Sequence, residues 1–321
     1  MGILVAGGEL DPDIRRFVRE VSAGWARFPE LAAAPPSVAR RIAEEVRAPW
    51  TRGGPRMAAT VERTVPFGAT GVRVRVHDPG PEGPKPALVY LHGGGWTLFS
   101  LDTHDRLMRE YAARAGVVVV GVDYALSPEA RFPAALEQVC AVARWLRAEG
   151  AGIGIDPARI AMGGDSAGAN LTTAACLELR EEGDGHLVRA IVLNYGVFDR
   201  RCSEDSRRRF GGDGYMLAGE EMDAFWRNYT RDERDADNPL VCPIKADLAS
   251  LPPVFMVIPE CDLLTEQNLR MADRFRAAGV PTEARVYRGA THSFLEAVSI
   301  AALANRALDD TAAWLRRELC S

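Results

Sequence analysis

The sequence predicts an α/β fold with a mostly parallel sheet of eight strands and helices on both faces. Two observations predict it: apolar strand-like runs alternate with helix-like runs, and glycine-rich turns follow the strands. Such alternation requires right-handed crossovers, which place helices on both sides of a parallel sheet. A chain of 321 residues with 47% hydrophobic content can bury one large core.

Eight segments have the β-branched and apolar character of strands. They are predicted at residues 60–66, 72–78, 87–91, 117–122, 159–162, 190–194, 254–258 and 283–287. Helical spacing of apolar residues predicts helices between the later strands, at 106–115, 134–149, 169–181, 265–278 and 298–318. Ahead of the first strand, Asp11 and Pro12 are typical of an N-cap and a first helical position, and a second helix is predicted near 38–46.

The most informative turn is Gly164-Asp165-Ser166-Ala167-Gly168, which lies between a strand-like run and a helix-like run. A serine in so tight a strand-to-helix turn has a strained backbone, and the neighbouring residues must be small. The turn also places Ser166 at a helix N-terminus, where the helix dipole favours negative charge. The pattern therefore predicts a nucleophilic serine.

Three successive glycines follow another apolar strand, in the run His92-Gly93-Gly94-Gly95-Trp96. Glycines pack poorly, so three of them indicate a place where backbone N–H groups approach a ligand oxygen closely. Together with the serine turn downstream, they indicate oxyanion donors for acyl transfer rather than an ordinary flexible loop.

Five histidines compete for the role of the base that a nucleophilic serine requires. His292 follows a strand-like segment, at the carboxyl end of a strand, where open α/β sheets place their chemistry. His92 is predicted to hold the glycine loop in shape. The other three are predicted to face solvent: His77, His104 and His186. We therefore predict His292 as the base.

Three acids follow the buried strand at 254–258 and compete to orient this histidine. Asp262 lies in the loop itself, whereas Glu266 lies in the first turn of the next helix, where an acid serves the helix dipole. Glu260, at the strand end, is the second candidate after Asp262. The order of serine, acid and histidine along the chain is that of α/β hydrolases.

These motifs make the chain resemble the hormone-sensitive-lipase family of α/β hydrolases, and within it the bacterial acetyl esterases. The resemblance extends from about residue 73 onward and rests on six segments: 92–96, 101–105, 123–129, 164–168, 261–264 and 292–294. It implies an α/β-hydrolase fold with a helical cap and a short-chain carboxylesterase activity without cofactor or metal. The family commonly has proline after the triad aspartate, where this chain has Leu263, which lacks the fixed φ of proline.

The resemblance also implies roles for individual residues. Ser166 is the expected nucleophile, His292 the general base and acid, and Asp262 the orienting acid. The expected oxyanion hole consists of the backbone N–H groups of Gly94, Gly95 and Ala167. Three aromatic residues that follow strand ends are expected to form pocket walls: Trp96, Tyr195 and Phe198.

The resemblance further suggests how the chain is divided. Residues 1–50 are expected to form N-terminal helices that contribute to the cap, and 51–321 the catalytic domain, with a cap insertion around 196–237. Within the insertion, the arginine run 207–209 is interpreted as a solvated face. The aromatic residues Phe225, Trp226 and Tyr229 are interpreted as packing of the cap onto the sheet.

The composition of the chain argues against several classes of binding partner. The 39 basic and 44 acidic residues give a net charge of −5, which argues against nucleic-acid or membrane-surface binding. The six cysteines lack metal-site or paired spacing, so we expect reduced thiols and no metal. The first six residues lack the basic region with which a signal peptide begins, so we expect no signal peptide there. We expect a cytoplasmic protein with a small-molecule ester substrate and no stable membrane association. The sequence leaves open whether the chain forms a homo-oligomer.

Two alternative functions use the same scaffold. One keeps the serine chemistry but cleaves amides, peptides or lactones. The other is a non-catalytic small-molecule receptor, against which the presence of His292 alongside Ser166 and Asp262 argues.

Overall fold

The computed structural model describes residues 8–81 and 83–320. Residues 1–7, which include the segment tested for a signal peptide and the start of the predicted 1–50 unit, lie outside the described residues. The described strands form one eight-stranded sheet in the order β1-β2-β4-β3-β5-β6-β7-β8. They are β1 (Ala59–Val65), β2 (Val72–Asp78), β3 (Lys85–Leu91), β4 (Val118–Val122), β5 (Ile155–Asp165), β6 (Ala190–Asn194), β7 (Val254–Pro259) and β8 (Thr282–Tyr287).

The sheet is parallel except at one end, where β2 pairs antiparallel with both β1 and β4. Its inner strands are buried on both faces, which is why their sequences are continuous apolar runs rather than alternating ones. The outermost strands differ: β1 is largely exposed, and β8 has exposed Val286. All parallel strands direct their carboxyl ends to one edge, where the serine turn and the glycine loop therefore meet.

Helices cover both faces, as predicted. The described α-helices are α1 (Pro12–Trp25), α2 (Pro36–Thr51), α3 (Asp105–Ala115), α4 (Ala134–Glu149), α5 (Ala167–Glu181), α6 (Glu204–Phe210), α7 (Gly219–Tyr229), α8 (Thr265–Ala277) and α9 (Ala302–Cys320). One face packs against α4, α5 and α8, and the other against α3 and α9, with α1 and α2 next to them. The predicted helix at 298–318 begins later than expected because a 3₁₀ segment, Phe294–Ser299, precedes it.

His77 was predicted at the surface, and this prediction is wrong. The ring is fully buried on β2, where its Nδ1 lies 3.1 Å from the Thr60 hydroxyl and its Nε2 lies 3.5 Å from Asp105. Burial lowers the pKa of His77 to about 4, although Asp105 opposes the shift. The physical reason is tertiary: β1 covers one side of β2, and the start of α3 brings Asp105 over this end of the sheet.

The serine turn requires a very close approach between α5 and β3. A Cβ added at Gly168 would lie 1.9 Å from the carbonyl oxygen of Leu91, and one at Gly164 would lie 2.4 Å from the same oxygen. These are backbone contacts, which a rotamer change cannot relieve. The two glycines therefore permit the helix to begin directly against the neighbouring strand.

We predict that Gly168→Ala lowers the free energy of unfolding by about 3 kcal/mol or more, because the added methyl group must push α5 away from β3. Urea unfolding followed by circular dichroism measures the change. Gly152→Ala is the matched control, since a Cβ there meets nothing within 4 Å and the residue has no positive φ. Equal stability of the two variants would contradict the close-approach argument.

Candidate active site

Ser166 lies at the sharp turn between β5 and α5. Its backbone has φ 52° and ψ −117°, a region of positive φ that residues other than glycine rarely adopt. Its N–H donates to the carbonyl oxygen of Asn194 at 2.9 Å, which anchors the turn to β6. The hydroxyl consequently projects from the carboxyl edge of the sheet at the N-terminus of a 15-residue helix.

The structure brings the three predicted residues Ser166, His292 and Asp262 together from three separate loops. His292 Nε2 lies 2.9 Å from Ser166 Oγ, and His292 Nδ1 lies 2.8 Å from Asp262 Oδ2. The Leu264 N–H donates to Asp262 Oδ1 at 3.1 Å, so the carboxylate is held on both sides. All three side chains are buried. The arrangement is a continuous hydrogen-bonded chain of hydroxyl, imidazole and carboxylate.

Two opposing effects act on the protonation of His292. Burial of the ring lowers its pKa, but the Asp262 carboxylate and its hydrogen bond outweigh burial, so the pKa of His292 is raised above 6.5. The Tyr195 ring lies edge-on behind the imidazole, with centroids 5.0 Å apart. Because Nδ1 faces a carboxylate, it carries the proton in the neutral ring, and Nε2 can then accept the serine proton.

The two other acids after β7 have different contacts. Glu260 Oε2 accepts a hydrogen bond from the Gly289 N–H at 3.0 Å, so it holds the loop that carries His292 rather than the ring itself. Glu266 is exposed in the first turn of α8. Of the three candidates, Asp262 alone contacts the His292 ring among the described contacts.

The glycine loop after β3 has the open backbone that oxyanion donors require. Gly94 has φ 105° and Gly95 φ 59°, and both line the cavity above Ser166. Within the described residues, the N–H groups of Gly94, Gly95 and Ala167 have no hydrogen-bond acceptor. His92 Nδ1 contacts the Gly93 carbonyl at 2.7 Å, consistent with the prediction that this ring holds the loop.

Asp165, the residue before the serine, connects the two loops. Its Oδ1 accepts hydrogen bonds from the Tyr90 hydroxyl at 2.8 Å and the Gly93 N–H at 3.1 Å, and its Oδ2 lies 3.3 Å from His104 Nε2. Burial raises the pKa of Asp165, but the His104 charge and hydrogen bonding outweigh it, so the pKa is lowered. A buried carboxylate thus ties the serine turn to the first glycine of the loop.

His104 was predicted at the surface and is instead 1% exposed. Burial lowers its pKa, but the charge of Asp165 and its hydrogen bond outweigh burial, so the pKa of His104 is raised. The polar residues around it in the sequence suggested exposure, yet the glycine loop and α3 enclose it. The acid inside the Gly164–Gly168 turn was the signal for a buried partner, because a buried carboxylate needs one.

A cavity of about 580 Å³ opens above Ser166 and His292. Its upper wall comes from α1 and the segment 212–218, through side chains such as Val21, Trp25 and Leu217. Phe225 of α7 forms another part of the wall and packs onto Gly95, where an added Cβ would lie 2.1 Å from the ring. Two parts of the chain that are far apart in the sequence, α1 and residues 212–225, thus enclose the serine.

The three predicted wall residues do not line this cavity, and that expectation is corrected. Trp96 is buried and stacks on Tyr229, with ring centroids 4.2 Å apart and planes at 4°. Tyr195 is buried behind His292, and Phe198 is buried in the core on the α5 face. Each follows a strand end, but its side chain is fully enclosed by residues that lie elsewhere in the sequence, such as Tyr229 around Trp96 and His292 beside Tyr195. By contrast, Phe225 reaches the cavity.

Three charged residues line the cavity and were missed by sequence reasoning: Arg47, Asp213 and Glu221. Arg47 of α2 is 4% exposed, lies 2.9 Å from Glu296 as a buried ion pair, and stands 4.9 Å from the Phe99 ring centroid. Glu221 of α7 also faces the cavity. A signal existed for Arg47, because it interrupts the apolar stripe of its amphipathic helix.

Among the residues that the structure describes, no group of three or more histidine, cysteine or acidic side chains could hold a metal ion. In the same residues, no helix has both the length and the apolar character needed to cross a membrane.

Several known proteins are similar to this chain in sequence and fold. A sequence profile of the α/β hydrolase fold matches residues 88–296. An acetyl esterase of Salmonella agona strain SL483 is 37% identical over 269 residues, which are 82% of this chain and 81% of that protein. An esterase of Pyrobaculum calidifontis superposes with a TM-score of 0.86 at 32% identity, covering 96% of this chain and 98% of its own. A thermophilic carboxylesterase from a metagenomic library superposes with a TM-score of 0.86 at 33% identity, covering 90% and 99%.

The eight-stranded sheet, the family profile and these relatives confirm the predicted fold and family. The chain belongs to the hormone-sensitive-lipase family of α/β hydrolases and is a serine carboxylic-ester hydrolase.

Proposed function

We propose that this enzyme hydrolyses short-chain, acetyl-type esters through an acyl-enzyme formed on Ser166. The observation that carries the proposal is the hydrogen-bonded chain from Ser166 through His292 to Asp262. In this arrangement the nucleophile has a base within reach, and the base has a carboxylate that sets its tautomer.

The first half of the reaction forms the acyl-enzyme. His292 Nε2 takes the Ser166 proton while Oγ attacks the ester carbonyl carbon, and the carbonyl oxygen becomes an oxyanion. The N–H groups of Gly94, Gly95 and Ala167 bind that oxyanion, and each such donor stabilises the transition state by roughly 3–4 kcal/mol. His292 then passes its proton to the leaving alcohol.

The second half repeats these steps with water. His292 Nε2 accepts a proton from water, the hydroxide attacks the acyl carbon, and the acid leaves as Oγ regains its proton. The Asp262 carboxylate stabilises the imidazolium that forms in each half. These steps use only side chains and backbone groups of the chain itself.

The preference for short acyl groups is supported by two observations. The Salmonella agona relative is named an acetyl esterase. In this chain the Phe225 ring packs against Gly95, so an aromatic side chain bounds the space beside the oxyanion donors. Amide and peptide cleavage, lactone cleavage and a receptor role are less favoured, since the relatives are esterases.

We also propose that the described part of the N-terminal segment 1–50, residues 8–50, and the insertion around 196–237 contribute to a cap over Ser166. Side chains of α1 and of the segment 212–218 line the cavity above Ser166, which supports the proposed cap. A cytoplasmic location is supported by the six cysteines, all within the described residues and all unpaired. If a homo-oligomer forms, the exposed edge strand β8 with Val286 offers a surface for it.

We predict that p-nitrophenyl esters are cleaved with kcat/KM highest for acetate to hexanoate, and that Ser166→Ala lowers turnover by at least about 10⁴-fold. The loss follows from removing the only nucleophile in the hydrogen-bonded chain. Release of p-nitrophenol from acetate through dodecanoate, by both proteins in parallel, measures it. Unchanged turnover in a folded Ser166→Ala variant would disprove the nucleophile assignment, and highest activity with dodecanoate would disprove the short-chain proposal.

Asp262→Asn is expected to lower kcat about 10³–10⁴-fold, because the amide does not hold the required tautomer of His292. In the wild type, kcat/KM should fall on the acid side as His292 is protonated, with a midpoint above 6.5, since the pKa of His292 is raised. Steady-state kinetics with p-nitrophenyl acetate across pH measure both effects. Glu266→Gln is the matched control. A larger loss of kcat in Glu266→Gln than in Asp262→Asn would show that Asp262 is not the acid that orients His292.

A further inference from the structure

Arg47 is a buried cation in the wall of the cavity above Ser166. Its side chain is 5% exposed, whereas the two acidic residues of the wall, Asp213 and Glu221, are exposed to solvent. Water hydrates the exposed carboxylates, but a buried guanidinium depends on partners in the protein or in the cavity. Arg47 is therefore the charged group of the wall that gains most from a polar atom of a bound molecule.

The charge of Arg47 has a partner, but its hydrogen-bond donors lack one. Nη1 lies 2.9 Å from Glu296 Oε2, which balances the charge, and the guanidinium carbon lies 4.9 Å from the centre of the Phe99 ring. Within the described residues, the buried Nε and Nη1 of Arg47 nevertheless have no hydrogen-bond partner, and neither has Glu296 Oε1. Because a buried donor without an acceptor is costly, the guanidinium needs an acceptor that the described protein does not supply.

Arg47 lies beside the groups that are expected to hold the ester. The Phe99 ring, which the guanidinium faces, also touches the glycine loop: a Cβ added at Gly94 would lie 2.8 Å from Phe99 Cδ2. Glu296, on the other side of Arg47, belongs to the segment that follows His292. An ester that reacts at Ser166 therefore extends along a wall that includes Arg47.

The charges around Arg47 indicate an acceptor without a charge of its own. Glu296 already balances the guanidinium, and the two exposed acids of the wall repel a further anion. A carbonyl oxygen offers lone pairs and adds no charge. The neighbouring Arg40 of the same helix is bound in this way, since its Nη2 donates to the Ser127 carbonyl oxygen at 2.9 Å.

From these contacts we infer that the enzyme selects esters that carry a second, uncharged carbonyl group, and that Arg47 determines this specificity by donating a hydrogen bond to it. The inference rests on the proposed ester hydrolysis and adds the chemical class of the substrate. The acyl half and the alcohol half both extend from the carbon that Ser166 attacks, and either can carry the second carbonyl group. The bond-making steps at Ser166 are unchanged.

Two pairs of esters test the two halves separately. The acyl pair is ethyl 4-oxopentanoate and ethyl 4-methylpentanoate, and the alcohol pair is 2-oxopropyl acetate and 2-methylpropyl acetate. In each pair a methyl group takes the place of the ketone oxygen, so the shapes are similar. Titration of the released acid at about pH 8, far above the pKa of a carboxylic acid, gives kcat/KM for each ester. The ratio of ketone to alkyl ester is then compared between proteins, which cancels the different intrinsic reactivities of the esters.

The main variant combines Arg47→Met with Glu296→Gln. Removing both charges together avoids leaving one of them buried and unpaired. We expect the ratio of ketone to alkyl ester to fall about tenfold relative to the wild type in one of the two pairs, because a hydrogen bond from a charged donor is lost. Circular dichroism checks that the variant is folded.

Two further variants separate the donors of Arg47 from its charge and from its helix. Arg47→Lys keeps a cation beside Glu296 but replaces the flat fork of donors by a compact ammonium group, so it should also lower the ratio. This variant tests the inference as well if the double variant does not fold. Arg41→Gln is the matched control, since it changes an exposed arginine of the same helix and should leave the ratio at its wild-type value.

A fifth ester tests whether the bound group must be uncharged. Monoethyl succinate has the shape of ethyl 4-oxopentanoate, with a carboxylate oxygen in place of the terminal methyl group. We expect the wild type to cleave the ketone ester with a kcat/KM at least about tenfold higher, because Glu296 and the acids of the wall repel the carboxylate. A wild-type preference for monoethyl succinate that disappears in the double variant would show that Arg47 binds anions, and would overturn the inference.

The outcomes separate failure of the inference from failure of the proposed function. Equal ratios of ketone to alkyl ester in the wild type and in the folded variants, in both pairs, would mean that water rather than substrate pairs with Arg47. That result would overturn the inference and leave ester hydrolysis intact. A folded wild type that cleaves neither these esters nor p-nitrophenyl acetate would overturn the proposed function, and the inference with it.

Discussion

The strained turn at Ser166 is the constraint on which the rest of the site depends. A residue held at φ 52° costs about 1–3 kcal/mol, which the surrounding structure must offset. It does so by packing: α5 starts directly against the Leu91 carbonyl, which only glycine at positions 164 and 168 permits, and β6 anchors the Ser166 N–H. The buried central strands thus hold the hydroxyl in the one direction that His292 can reach.

Asp165 extends this constraint to the glycine loop. The same short turn that presents Ser166 outward directs the preceding side chain inward, where it meets Tyr90, the Gly93 N–H and His104. A buried carboxylate without these partners would be strongly unfavourable, so the loop is held at a fixed distance from the serine. Adjacent residues of a single turn, Asp165 and Ser166, in this way fix the glycine loop and present the serine hydroxyl.

The N-terminal helices and α7 complete the site through contacts that are equally buried. The Arg47–Glu296 pair joins α2 to the segment that follows His292, and Phe225 joins α7 to Gly95. Breaking a buried ion pair by removing one partner costs about 3–5 kcal/mol. The elements above the serine are therefore attached to the loops that carry His292 and the three glycines, and their side chains line the cavity.

The sequence by itself determined the strand and helix pattern, the turn at Ser166 and the glycine loop, because each has a local signature in residue type and spacing. The same kind of signature led to the prediction that His292 and Asp262 serve Ser166, and the structure brings these three side chains into contact. Strand and helix ends shifted by a few residues, as at β5 and α9. Tertiary structure alone decided burial and side-chain direction. His77 and His104 have polar sequence neighbours, yet other strands and loops enclose them; Trp96, Tyr195 and Phe198 follow strand ends, yet point into the core. Glu221 faces the cavity for the same reason: the neighbours that enclose a side chain lie far away in the sequence.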